Sequence, residues 1–122
     1  MIVGLDHVQV AAPVGCEDAA REFYGRRLGL EEVEKPPLLA ARGGVWFRVG
    51  LHELHVGATE NFVPAAKAHP ALRVSSPAEL EHLAALLGGQ GIEVSRPDPD
   101  EVPGTARLYV LDPWGNRVEL LA

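Results

Sequence analysis

A carboxylate interrupts an apolar pattern near the end of this chain. Glu119 stands among valine and leucine in the segment "YVLDPWGNRVEL", whose alternation is typical of a strand. An ionised carboxylate is costly to bury unless a cation compensates its charge. Glu119 therefore needs a partner, which is either a metal ion or one of three arginines: Arg48, Arg73 or Arg107.

Other residues that can bind a metal or move a proton lie at the start or in the middle of predicted strands. His7 opens "HVQVAAP" and His69 opens "HPALRVSSP", while Glu53 and His55 lie close together in "LHELHV". Imidazole and carboxylate groups bind divalent metals and also serve as general acids and bases. Whether these side chains act together depends on the elements that carry them.

The two histidine-led segments belong to an internal repeat. Val10 matches Leu72 at the same offset that separates His7 from His69. In each copy a helix and three short strands follow, so the pattern predicts a βαβββ module twice. The predicted boundaries are about 1–57 for module one, about 58–67 for a linker and about 68–122 for module two.

Helical spacing and turn residues place the elements within each module. The predicted helices are "CEDAAREFYGRRLG" and "PAELEHLAALLGGQG", the second with Ser76 as N-cap, Pro77 in the first turn and a stop at Gly88-Gly89. Asp112–Asn116 is predicted to be a turn. The strands that follow the helices are expected at about 31–35, 45–49 and 51–57, then at 92–96, 105–111 and 117–121.

The two-residue period of a strand predicts which side chains share a face. The apolar residues of each strand point towards its helix, and the ionisable residues point away. His7, Glu53, His55, His69 and Glu119 all belong to these polar faces. The pattern predicts an α+β fold in which two tandem modules form a cupped mixed sheet with the helices on its outer face.

With these segments in this order, the chain resembles the vicinal-oxygen-chelate superfamily. That superfamily includes glyoxalase I, bleomycin-resistance proteins, fosfomycin-resistance proteins and extradiol dioxygenases. The resemblance covers essentially the whole chain and rests on "LDHVQV", "HPALRV" and "YVLDPWGNRVEL". It implies one divalent metal ion, such as Fe, Mn, Ni or Zn, held by strand-borne histidine and glutamate side chains.

The resemblance implies metal ligation by His7, His69 and Glu119. It places Glu53 in the register of a fourth ligand, and His55 competes for that role because it shares the same face. The residue that does not bind the metal would act as a general base or hydrogen-bond a ligand. We therefore expect catalytic roles for Glu53, His55 and Glu119. The alternative is a metal-free site in which an arginine pairs with Glu119.

Other residues of chemical interest are expected to have structural roles. Cys16 has no nearby base, and a single cysteine excludes an internal disulfide, which suits a reducing cytoplasm. His52 and His82 are expected on the surface. Four aromatic residues are expected to pack in the core or at its rim: Trp46, Phe47, Tyr109 and Trp114.

Composition limits the partners. The chain has 122 residues, 47% of them hydrophobic, and a net charge of −6 without a basic stripe. The composition therefore argues against nucleic acid and membranes as partners. We expect a homodimeric enzyme acting on a small molecule with two adjacent oxygens, through isomerase, lyase or dioxygenase chemistry. The alternative is a drug-binding protein of the bleomycin-resistance type that does no chemistry.

Overall fold

Buried and exposed side chains alternate along the strands of this fold. A computed structural model describes all 122 residues. The chain forms two compact units, Met1–Pro64 and Ala65–Ala122. Both units follow the predicted order of strand, helix and three strands, so the α+β class with two tandem βαβββ modules is confirmed. None of the helices has the length and apolar character needed to cross a bilayer.

The first unit contains a four-stranded mixed sheet. Its order is β1-β4-β3-β2, with β1 parallel to β4 and the other pairs antiparallel. The strands are β1 (His7–Pro13), β2 (Glu31–Val33), β3 (Val45–Val49) and β4 (His52–Thr59). The helices are α1 (Glu17–Ala20), a π-helix that continues it (Arg21–Arg27), and α2 (Pro37–Ala40).

The π-helical segment is a departure from the single regular helix that the sequence predicts. The carbonyl of Phe23 accepts a hydrogen bond from the N–H of Leu28, five residues later, at 3.0 Å. The wider turn lets the adjacent rings of Phe23 and Tyr24 both enter the core, where they are 3% and 0% exposed. Periodicity places both rings on one stripe, but packing decides the helix type.

The second unit repeats the arrangement with a longer helix. Its sheet has the order β5-β8-β7-β6, again with the first pair parallel. The elements are β5 (Ala71–Arg73), α3 (Pro77–Gly89), β6 (Val94–Ser95), β7 (Arg107–Leu111) and β8 (Arg117–Leu121). The Ser76 hydroxyl accepts the N–H of Glu79 at 3.1 Å, which confirms the predicted N-cap.

The apolar faces of the strands form the cores as the alternation predicts. Leu54 and Val56 are fully buried in β4, and Val118 and Leu120 are fully buried in β8. Cys16 is also buried and free, and burial raises the pKa of its thiol to about 11. A thiol that remains protonated is a poor nucleophile, which agrees with a packing role.

Candidate functional site

Strand register brings the polar residues of the first unit together. In the parallel ladder between β1 and β4, His7 pairs with Glu53 and Gln9 pairs with His55. Directly paired residues project from the same face of a sheet, so all four side chains share one face. Trp46 joins them because it pairs with His55 across β3 and β4.

Three rings on this face form a continuous stack. The imidazole of His55 lies 3.8 Å from the indole of Trp46, with the planes 2° apart. On its other side the ring of His7 lies 4.1 Å away, tilted by 17°. This stack buries His55 to 4% exposure, although its side chain is polar. Ring contacts on both sides fix the orientation of the imidazole.

Hydrogen bonds fix the ring nitrogens of both histidines. His55 Nε2 lies 2.9 Å from Glu53 Oε1, and His7 Nδ1 lies 2.7 Å from Asp6 Oδ1. A carboxylate only accepts, so each of these nitrogens carries the proton. The hydrogen bond from His7 lowers the pKa of the Asp6 carboxyl. In their neutral forms His7 then presents a lone pair at Nε2 and His55 presents one at Nδ1.

A cleft opens beside the stack. Its volume is about 410 Å³, within the range of small-molecule sites. His7, Trp46 and His55 form part of its lining, together with Lys35 and Arg42. The lining therefore combines flat rings with two cationic side chains.

In the second unit, Glu119 is the buried charged residue on the polar face of the sheet. It is 8% exposed and pairs with Ala71 in the parallel ladder between β5 and β8. Its N–H donates to the carbonyl of Pro70 at 3.0 Å, which ties β8 to the residue after His69. His69 Nε2 consequently lies 3.0 Å from Glu119 Oε2.

The second ring nitrogen of His69 constrains the protonation of this pair. His69 Nδ1 lies 2.8 Å from the backbone carbonyl of Lys67, which only accepts, so Nδ1 carries a proton. A neutral His69 then directs a lone pair at Glu119, which repels the carboxylate oxygen. A favourable contact needs either a second proton on the imidazole or a cation bound by both groups.

Arg107 compensates the other oxygen of the same carboxylate. Its Nε donates to Glu119 Oε1 at 2.7 Å, and one of its terminal nitrogens donates to the Tyr109 hydroxyl at 2.7 Å. Burial raises the pKa of the Glu119 carboxyl, but the hydrogen bonds from Arg107 and then His69 outweigh it, so the pKa lies below its usual value. The buried carboxylate of Glu119 is thus held between an imidazole and a guanidinium.

A tight turn positions the strand that carries Glu119. Asp112 accepts the backbone N–H groups of Trp114 and Asn116 at 3.0 and 2.8 Å, and the Asn116 side-chain amide at 2.8 Å. Both Asp112 and Asn116 are buried. These bonds close the hairpin between β7 and β8, so the predicted turn at Asp112–Asn116 is confirmed.

Comparison with known proteins identifies the family. The sequence profile of the glyoxalase/bleomycin resistance protein/dioxygenase superfamily matches residues 4–120. The chain belongs to this superfamily. No curated protein matches it.

Solved structures of several other proteins share the fold of this chain. A glyoxalase family protein from Bacillus anthracis is 50% identical, with a TM-score of 0.91 over 99% of this chain and 95% of that one. An integron cassette protein from the Halifax Harbour sewage metagenome is 27% identical, with a TM-score of 0.78 over 99% of both chains. Lactoylglutathione lyase from Agrobacterium tumefaciens shares the fold at 24% identity, with a TM-score of 0.75 over 98% and 93%.

The internal repeat of the sequence relates residues of the two units. If His7 corresponds to His69, then Gln9 corresponds to Ala71. Gln9 pairs with His55, and Ala71 pairs with Glu119, so His55 is the structural counterpart of Glu119. The sequence places Glu53 and His55 on one face but does not reveal this correspondence, because it depends on strand register.

The donor atoms of His7, His69 and Glu119 are of the types that bind divalent metals. His7 and His69 each donate one ring N–H to an oxygen acceptor, a usual arrangement around metal-binding histidines. Each unit by itself brings together a histidine and a glutamate. In the described chain no group of three or more His, Cys, Asp or Glu side chains is gathered closely enough to hold an ion.

Some residues at the cleft were not assigned by sequence reasoning. Sequence reasoning predicts a packing role for Trp46 and no role for Lys35 or Arg42. The unpredicted helix α2 lies between those two cations. Its signal is the Pro36-Pro37 pair, since proline is common in the first turn of a helix. His52 and His82 are exposed, as expected.

Proposed function

We propose that the chain is a divalent-metal-dependent enzyme of the glyoxalase/dioxygenase type. Its substrate would be a small molecule with two adjacent oxygens. The observation that supports this best is the contact of His69 Nε2 with Glu119 Oε2 at 3.0 Å, while His69 Nδ1 is committed to a carbonyl. An imidazole nitrogen and a carboxylate oxygen at this spacing are both donor atoms for a divalent cation, which would take the place of the proton that otherwise joins them.

The proposed ligands are His7, His69 and Glu119, with Glu53 or His55 as the fourth. The identity of the metal among Fe, Mn, Ni and Zn is left to experiment, since imidazole and carboxylate donors suit all of them. When bound, such an ion polarises a substrate oxygen as a Lewis acid and stabilises negative charge that develops on it.

The residues of the first unit are suited to moving a proton. Glu53 Oε1 accepts a hydrogen bond from Nε2–H of His55, so the two side chains form a coupled acid-base pair. The stack with Trp46 holds the imidazole in place while its Nδ1 lone pair remains available. We propose that this pair takes a proton from a carbon or oxygen next to the substrate carbonyl, as isomerase or lyase chemistry requires. Dioxygenase chemistry is a second outcome of the turnover test.

Metal analysis of the purified protein tests the proposal. Protein produced with Fe, Mn, Ni and Zn supplied is expected to contain about one ion per chain, and His69→Ala and Glu119→Ala are expected to lose it. His82→Ala is the matched control, because His82 lies exposed on helix α3. Metal-free wild-type protein after metal-replete growth would contradict the proposal. Loaded protein would then be screened with methylglyoxal-thiol adducts and catechols.

A second candidate function has its own support in the ion pair between Arg107 and Glu119. The guanidinium compensates the buried carboxylate at 2.7 Å without any metal. A protein of the bleomycin-resistance type, which binds a small molecule and does no chemistry, would retain this ion pair. It would show ligand binding that is independent of metal and no turnover. The buried, unpaired Cys16 suits either function in the cytoplasm.

A further inference from the structure

The basic side chains of the first unit divide into two groups. Four of them pair with carboxylates within 4.0 Å, namely Arg21, Arg26, Arg27 and Arg48. The remaining two, Lys35 and Arg42, form no such pair, and both line the 410 Å³ cleft. The cations left without a carboxylate in this unit are therefore those that face a space large enough for a ligand.

Lys35 is held in place by a hydrogen bond and a contact with an aromatic ring. Its ammonium donates to the backbone carbonyl of Gly43 and lies 5.9 Å from the ring centre of Trp46. An ammonium has three donors, so two remain for a ligand. The side chain is half-buried, which strengthens its interaction with an anion relative to that of a fully solvated lysine.

Arg42 makes no side-chain hydrogen bond or ion pair, but its backbone is anchored. The next two residues, Gly43 and Gly44, have φ angles of 77° and 85°, which favour glycine. Gly44 lies so close to β4 that a Cβ there would overlap the carbonyl oxygen of Val56. This tight turn fixes the start of the Arg42 side chain at the edge of the cleft.

No aspartate or glutamate is part of the cleft lining. A Cβ added at Gly43 would lie 3.3 Å from a carboxylate oxygen of Glu17, but Glu17 is not part of the cleft lining. The other polar groups of the lining are Gln9 and the imidazoles of His7 and His55. A chain with a net charge of −6 thus carries a local cationic site, where two positively charged donors favour an anion.

We infer that Lys35 and Arg42 bind the oxyanion of a small organic acid in this cleft. The recognised group is a carboxylate or a phosphoryl group. The inference rests on the proposed function, since it names the class of that substrate: an anion whose charged group lies beside the adjacent oxygens. Lys35 and Arg42 then determine specificity and orient the substrate beside His7 and His55.

Anion binding to the metal-free protein tests this inference. Chelator-treated full-length protein is titrated calorimetrically with lactate, methylphosphonate, inorganic phosphate and the neutral compound lactamide. We expect at least one anion to bind and lactamide not to bind. Lys35→Met and Arg42→Met are each expected to weaken binding about tenfold or more, because each removes a charge-assisted contact. Arg26→Met, which removes an exposed cation outside the cleft, is expected to change it less than about twofold.

The outcomes separate this inference from the proposed function. No binding of any anion, equal binding of lactate and lactamide, or undiminished binding by both cleft variants would overturn it. Binding of lactate alone identifies a carboxylate site, and binding of the phosphorus compounds alone identifies a phosphoryl site. Metal content is measured independently, so protein that binds anions but no metal contradicts only the proposed enzyme. Thermal unfolding of each variant shows whether the fold is retained.

Discussion

His69 Nε2 lies 3.0 Å from Glu119 Oε2, although 50 residues separate them along the chain. The contact exists because β5 runs parallel to β8, and the Glu119 N–H bonds to the carbonyl of the residue after His69. Arg107 holds the other carboxylate oxygen. One buried carboxylate therefore has two partners of different chemistry, and perturbing them separately tests what the site does.

Arg107→Met should make the stability of the chain more dependent on metal. Removal of the guanidinium leaves a buried carboxylate partly uncompensated, so the metal-free protein should lose stability. A bound divalent ion restores the compensation, so the rise in melting temperature on adding metal should exceed that of the wild type. Arg117→Met is the control, since Arg117 lies over Tyr109 and pairs with no carboxylate. Equal metal responses in all three proteins would favour the metal-free binding function.

The unfolding free energy should depend on pH through Glu119. Its folded pKa lies below the ordinary value of 4.5, so the unfolded chain binds the proton more readily. The stabilisation is complete above about pH 4.5 and is lost as pH falls through the lowered pKa. Urea unfolding should show a larger difference between wild type and Glu119→Gln at pH 7 than at pH 3.

The matched control for that measurement is Glu81→Gln. Glu81 also has a lowered pKa, because Arg96 donates a hydrogen bond to it, but both side chains are largely exposed. Solvent screens an exposed pair, so its pH-dependent contribution should be smaller. A pH dependence of equal size in the two variants would argue against a special role for the buried site.

Gly44→Ala should destabilise the first unit and disturb the cleft. The added Cβ would overlap the Val56 carbonyl oxygen, and the φ angle of 85° disfavours alanine, so we expect a loss of about 3 kcal/mol or more. Gly50→Ala is the matched control, because its φ is 58° and nothing lies within 4 Å of the new Cβ. Its cost should stay near 1 kcal/mol. Urea unfolding of both variants measures the difference, and equal losses would mean that the turn relaxes freely.

The chain should form a homodimer in solution. Ile2 and Val3 lie before β1 and are 93% and 95% exposed, and Leu5 is 60% exposed. An apolar segment of this kind is stabilised when a second copy covers it. Sedimentation should give twice the 13.1 kDa chain mass at micromolar concentration, and Val3→Lys should shift the protein towards the monomer. A wild-type species of 13.1 kDa would contradict the prediction.

The sequence by itself determines the elements whose signals are local. Ser76 and Pro77 define the start of α3, Asp112–Asn116 define a turn, and strand alternation separates the core face from the polar face. The internal repeat adds the order of the elements in both units. These features depend on neighbouring residues and on simple periods, so the printed sequence contains them.

Only the tertiary structure decides which side chains meet on the polar face. The pairing of Gln9 with His55 makes His55 the counterpart of Glu119, and the packing of Phe23 with Tyr24 selects a π-helix. The sequence leaves three arginines open as partners of Glu119. The register between β7 and β8 selects Arg107. Such contacts join residues far apart in the chain, and a shift of one residue in register would move every side chain of a strand to the other face.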